Sequence, residues 1–141
     1  MQFPSQILSR SESETENIAK DFSSFVDEGM VIVLIGELGA GKTFFTKKLL
    51  NCFNINTANS PTFAIVNEYN GLKKFYHFDF YRINKPQELI DIGIEDYFSD
   101  SEAICIIEWG NLFSELLPQE RIEIEIKFKS ENERLFEFRK L

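Results

Sequence analysis

The sequence predicts an α/β fold: a mixed β-sheet flanked by helices and carrying antiparallel hairpins. Three observations predict it. An apolar, mostly β-branched run, Met30-Val31-Ile32-Val33-Leu34-Ile35, reads as a buried strand. A glycine-rich loop follows it, and from Thr43 to about Phe53 apolar residues recur at helical spacing with no Gly or Pro. A second apolar run, from Ala103 to Ile107, ends on Glu108 and Trp109 and reads as another buried strand of parallel type. Arg121 to Lys129 and Arg134 to Arg139 alternate apolar and polar residues across Ser130-Glu131-Asn132-Glu133, as a hairpin does.

The remaining elements follow in order. Phe3 to Leu8 is expected to be a short edge strand, since Pro4 excludes a central position. Ser11 and Glu14 stand at capping-box spacing and start a helix that should run to about Asp27, with Ile18, Ala19, Phe22, Phe25 and Val26 on one face and Gly29 ending it. Asn54 to Thr62 is a polar linker rich in hydroxyls. Phe63 to Tyr69 alternates, Asn70-Gly71 signals a hairpin, and Lys73 to Tyr81 is the returning strand. Pro86 to Ile90 and Ile94 to Phe98 read as short helices, the first with Pro in its first turn. Leu112 to Leu117 is helix or loop.

Composition bounds the function. At 141 residues one domain is expected, spanning 1–141. The chain is 43% hydrophobic and holds fifteen Phe, enough for a core and against disorder. Its net charge of −8 argues against free-standing nucleic-acid binding, which needs basic patches, and allows steering toward a basic partner. Cys52 and Cys105 form no C-x-x-C and are accompanied by a single His, so both are read as reduced and structural. With no signal peptide and no apolar run of membrane-spanning length, a cytoplasmic location is expected.

The loop Gly36-Glu37-Leu38-Gly39-Ala40-Gly41-Lys42-Thr43 fits G-x-x-x-x-G-K-S/T, the phosphate-binding loop of nucleoside triphosphatases, and strand and helix flank it as that motif requires. The fold class is therefore P-loop NTPase-like. Backbone N–H groups of the loop and the helix N-terminus would cradle phosphate oxygens. Lys42 would reach the β- and γ-phosphates, and the Thr43 hydroxyl would bind Mg²⁺. An apolar strand delivering Glu108 at its carboxyl end follows Walker B logic, in which the acid binds Mg²⁺ directly or through water. The alternative is an exposed strand-end Glu. Asp79 shares a strand face with His77 and could hold a Mg²⁺-bound water or orient the attacking one. Its alternative is a strand-end Asp paired with Arg82 or His77. His77 by itself reads as a hydrogen-bonded structural residue. Ser11 and Thr15 are either cap and solvated face or a border of the adenine.

Other P-loop classes fit poorly. The nearest approach to a guanine-reading Asn-Lys-x-Asp is Asn84-Lys85-Pro86-Gln87, which lacks the Asp. The five arginines, at 10, 82, 121, 134 and 139, form no lid cluster of the kind small-molecule kinases carry. A large motor ATPase needs more chain.

Taken together, five segments resemble the bacterial TsaE (YjeE) family. They are Gly36 to Thr43; Ser60-Pro61-Thr62-Phe63; His77-Phe78-Asp79-Phe80-Tyr81-Arg82; Glu88-Leu89 with Gly93-Ile94-Glu95-Asp96-Tyr97-Phe98; and Ile107-Glu108-Trp109. The likeness runs from about Ser11 to Arg134. It implies a weak Mg²⁺-dependent ATPase that binds the TsaD–TsaB heterodimer. That complex forms threonylcarbamoyladenosine in tRNAs reading codons that start with A, so tRNA is met only indirectly and no membrane is involved. ATP and Mg²⁺ are the implied cofactors. By the resemblance, Glu37, Leu38, Gly39, Ala40, Gly41 and Lys42 form the phosphate cradle, and Thr43 and Glu108 ligate the metal. Lys42, Asp79 and Glu108 are catalytic, and Ser60 to Phe63 is a switch-like loop. Ser11, Thr15 and Arg134 match the family's adenine side, and Trp109 a Trp beside the metal-binding Glu. Phe44 replaces a frequent second Thr, Gly110 a frequent Pro or Ser, and the C-terminal hairpin stops early, at Leu141. The alternative function is a nucleotide-gated binding module whose ATP state docks onto the partner and whose hydrolysis is incidental.

Overall fold

Val31–Ile35 forms the strand, β2, at the middle of a seven-stranded sheet in the computed structural model, which describes residues 1–56 and 64–141. The run shows no alternation because both of its faces are covered. Ile32 and Leu34 pack into one apolar cluster with Phe22, Phe45 and Phe136, while Val31 and Val33 pack into a second with Phe78, Leu89 and Ile107. That two-sided burial is what a continuous apolar strand implies.

The other strands are β1 (Ser5–Ser9), β3 (Val66–Asn70), β4 (Lys74–Asp79), β5 (Ala103–Glu108), β6 (Ile122–Phe128) and β7 (Arg134–Lys140), in the order β1-β7-β6-β2-β5-β4-β3. Strands β6, β2, β5 and β4 run parallel; β1–β7, β7–β6 and β4–β3 pair antiparallel. The helices are α1 (Glu12–Ser23), α2 (Lys42–Asn51), α3 (Pro86–Asp91) and α4 (Ile94–Phe98). Short 3₁₀ segments span Phe80–Arg82 and Gly110–Leu116. The mixed sheet with parallel strands around the glycine loop is the expected architecture.

Some boundaries differ, each for a local reason. Helix α1 stops at Ser23, short of Asp27. Phe25 and Val26 donate their N–H groups to Phe22 and Ser23, tightening the chain into a turn while Val26 still reaches the core. Apolar spacing thus outlasts the helix. Strand β4 ends at Asp79, not Tyr81, because the Asp79 carboxylate accepts the Tyr81 N–H and starts a 3₁₀ turn. At the first hairpin, Asn70 stays in the ladder opposite Lys74, and Gly71 to Lys73 turn. Gly71 lies against the Phe53 carbonyl, where a side chain would clash.

Cys105 is buried in β5 and donates to the Tyr97 carbonyl at 3.5 Å. Burial, helped by the Asp100 charge, pushes its thiol up to about 12. Because only a thiolate alkylates readily, iodoacetamide at pH 8 is expected to label the half-buried Cys52 well before Cys105. Mass spectrometry over time reads this, and equal rates in the native protein would contradict it.

Candidate active site

The parallel strands set the site. Asp79 and Glu108 stand opposite each other at the carboxyl ends of β4 and β5, and Glu108 stands opposite Leu34 of β2, just before the glycine loop. In an open α/β sheet this edge is where ligands bind. Gly36 leaves β2 so close to β6 that a Cβ would come within 2.7 Å of the Ile126 carbonyl. Gly39 and Gly41 take φ of +79° and +108°, a region that side chains disfavour. Gly41 is the N-cap of α2 and has no side chain to accept from the first-turn N–H groups, which favours an anion there.

Lys42 opens α2 and is only 5% exposed. Its ammonium donates to the Gly36 carbonyl and, at 2.9 Å, to the Glu37 carbonyl. It also lies 4.1 Å from the Trp109 ring centroid. Burial lowers its pKa, while the charges of Glu108 and Asp79 pull it back up. Thr43 Oγ1 donates to Glu108 Oε1 at 3.4 Å. The other oxygen, Oε2, lies 2.7 Å from His77 Nε2. Asp79 accepts from Tyr81 N at 3.0 Å through Oδ1, and Oδ2 lies 3.6 Å from Arg82 Nε. Burial raises the Asp79 pKa and Glu108 adds to the rise; the Tyr81 N–H, Arg82 and His77 oppose it.

Lys42, Thr43, Asp79, Glu108 and Trp109 line one open cleft of about 680 Å³, together with Leu38, Gly39 and Gly41. A smaller pocket of about 190 Å³ adjoins it across Gly41 and Phe44. Ser11, Thr15, Ala40 and Arg134, from both ends of the chain, line it. Arg134 Nε donates to the Ala40 carbonyl at 3.1 Å, and Nη1 holds the carbonyls of Ser130 and Glu133 at 2.8 and 3.0 Å. It thereby ties the C-terminal turn to the glycine loop. Glu37, whose carbonyl meets the Lys42 ammonium, lines a neighbouring groove with Asn111 and Lys129. The Ser60 to Phe63 loop lies outside the described residues.

Several expectations shift. Glu108 is no exposed strand-end acid, being 3% exposed, and His77 pairs with it rather than with Asp79. Thr15 is buried, not on a solvated face, and its hydroxyl is 2.6 Å from Ser9 Oγ. Ser11 Oγ caps Glu14 N, but the Glu14 carboxylate accepts from Arg10 N rather than closing the box on Ser11. Two residues went unnoticed in the sequence. Ser9 fixes Thr15, and Tyr81 packs on Trp109 at a 40° tilt with ring centroids 5.0 Å apart, a role hidden by reading it as strand. Trp109 itself takes φ +61°, turning the chain sharply after Glu108. Gly110 follows because a Cβ there would meet Val33 Cγ1 at 2.5 Å.

The donor set suits Mg²⁺. A hydroxyl and a carboxylate oxygen face each other, and Mg²⁺ takes few protein oxygens and keeps several waters. Among the described residues no three His, Cys, Asp or Glu converge as a closed metal cage. None of the described helices is long and apolar enough to cross a membrane.

Comparison with known proteins shows the family. Residues 9–136 match the family model for threonylcarbamoyl adenosine biosynthesis protein TsaE. The chain is 44% identical over 127 residues to the tRNA threonylcarbamoyladenosine biosynthesis protein TsaE of Bacillus subtilis, covering 89% of this chain and 78% of that one. It is 34% identical over 134 residues to its counterpart in Rickettsia bellii, covering 93% and 92%. The crystal structure of Bacillus subtilis YdiB superposes with a TM-score of 0.77 at 36% identity, covering 98% of this chain and 87% of that one. With the family model spanning nearly the whole chain and the same sheet recurring in a solved structure, this protein belongs to the TsaE family of tRNA threonylcarbamoyladenosine biosynthesis proteins.

Proposed function

We propose that this protein is a weak Mg²⁺-dependent ATPase of the cytoplasm that supports a TsaD–TsaB complex in forming threonylcarbamoyladenosine on tRNA. The observation that carries the proposal is the convergence of Lys42, Thr43, Asp79 and Glu108 on one cleft beside the glycine loop. Ser11, Thr15 and Arg134 line the adjoining pocket, which would take the base of a nucleotide whose phosphates lay over the loop. Lys42 would exchange its two carbonyl partners for phosphate oxygens. Thr43 and Glu108 would hold Mg²⁺, which when bound neutralises phosphate charge. Asp79, held by Tyr81 N and leaning toward Arg82, would orient the attacking water. The net charge of −8 fits a protein that serves tRNA chemistry through a partner rather than by holding tRNA.

Steady-state ATP hydrolysis with and without purified TsaD–TsaB tests this. Slow, Mg²⁺-dependent turnover that rises with the partner is expected; turnover unchanged by a modification-competent partner would count heavily against the proposal. A second reading, the nucleotide-gated module, is favoured by the exposed apolar rim of the cleft, where Leu38 and Tyr81 face solvent. Full tRNA modification by a variant that binds ATP without hydrolysing it would select that reading.

A further inference from the structure

We infer that His77 is a positioning residue, holding one oxygen of Glu108 so that the other is presented to Thr43 and a metal ion. The inference rests on the ATP–Mg²⁺ reading of the cleft. Strand β4 runs parallel to β5, and residues alternate faces, so His77, opposite Ile106, lies two ladder positions behind the Asp79–Glu108 pair on the same side of the strand as Asp79. From there its Nε2 lies 2.7 Å from Glu108 Oε2, while Thr43 Oγ1 is 3.4 Å from Oε1. The two carboxylate oxygens therefore have different partners. One is tied to the interior and the other faces the glycine loop.

Packing alone does not account for this imidazole. His77 is 1% exposed, and its Nδ1 is buried with no partner among the described residues. Its ring neighbour is Tyr69, at 6.1 Å. An apolar side chain of similar size would fill the space without an unmet Nδ1, so packing alone does not select an imidazole; what such a side chain would forfeit is the partner of buried Glu108 Oε2. To donate to a carboxylate, a neutral imidazole carries its proton on Nε2, and Nδ1 is then left as a bare acceptor. An orphaned Nδ1 beside a 2.7 Å contact at Nε2 fits a ring whose N–H is directed at Glu108. A side chain at 77 that fills the space but cannot donate would leave the Glu108 carboxylate free to rotate away from Thr43. Partners of this kind, one bond removed from a metal, typically change metal affinity by about 10–100-fold when lost.

The test is a Mg²⁺ titration of fluorescent ATP-analogue binding, run on the full chain for wild type, His77→Leu and His77→Gln, with thermal melting alongside. His77→Leu fills the space without a donor and should raise the Mg²⁺ midpoint by about 10–100-fold. Its analogue affinity in EDTA should match wild type. His77→Gln keeps an N–H near the Nε2 position and should recover most of the shift. A wild-type midpoint in folded His77→Leu, or equal shifts for Leu and Gln, overturns the inference. Should His77→Leu not fold, His77→Asn takes its place, because its shorter amide does not reach Oε2. Wild-type protein that binds the analogue with no Mg²⁺ dependence overturns the underlying reading instead. A purely structural His77 would lower the melting temperature and leave every midpoint unchanged.

Discussion

Lys42→Ala is expected to weaken MgATP binding by about 10- to 10²-fold while leaving the fold intact. The magnitude follows from one charge-assisted contact worth about 1.5–3 kcal/mol, with each 1.4 kcal/mol a factor of ten. The fold should survive because Lys42 makes no packing core of its own. Its ammonium is held by the Gly36 and Glu37 carbonyls in the wall of an open cleft, where water can replace it. Lys42→Arg tests the geometry separately from the charge. A planar guanidinium with five fixed donors is a poor substitute for a compact ammonium seated between two carbonyls and the Trp109 ring. It should therefore lose at least about tenfold despite keeping its charge. Calorimetric titration with ATP and Mg²⁺ measures both variants, and circular dichroism confirms folding. ATP affinity retained in folded Lys42→Ala would remove the phosphate-loop reading altogether.

What the sequence shows and hides divides along physical lines. β2, the glycine loop and α2 are legible because each depends on local residue types: a β-branched run, glycines at fixed spacing, and apolar residues at helical period. β5 and the C-terminal hairpin are legible for the same reason. Strand register is not local. Nothing in the one-dimensional pattern says that Asp79 pairs with Glu108, or that His77 then reaches Glu108. The burial of Thr15 depends on Ser9, and the role of Arg134 depends on a turn brought 94 residues back to Ala40. Endings such as Ser23 and Asp79 are set by local turn and capping bonds that apolar periodicity overruns. Asp79 is where this matters most, because cap and chemistry share one side chain.

Asp79→Asn and Asp79→Ala should separate those two roles. Both are expected to lower ATP turnover by at least about 10²-fold, the scale of losing one charged group that acts on the reacting atoms. Their stabilities should differ. Asn keeps an oxygen for the Tyr81 N–H and is itself a favoured cap, whereas Ala leaves that N–H unmet and should cost about 1 kcal/mol. The pH dependence has a definite sign. Burial and Glu108 raise the Asp79 pKa above 3.8, so the folded state holds this proton more tightly than the unfolded chain does. That contribution is fully present below pH 3.8 and is lost as pH rises through the raised value. At pH 7 the ionised carboxylate is therefore a net burden on the fold that Arg82 only partly relieves, and the neutral amide removes it. Asp79→Asn should match or exceed wild-type stability at pH 7, with the gain shrinking as pH falls toward 3.8. Urea unfolding at pH 7 and pH 4, beside turnover assays, reads both effects. An Asn variant as unstable as Ala, or one that hydrolyses ATP like wild type, would return Asp79 to a structural cap. A stable, inactive Asn variant would mean that the fold bears an acid in a place that disfavours its charge, which is the mark of a residue kept for chemistry.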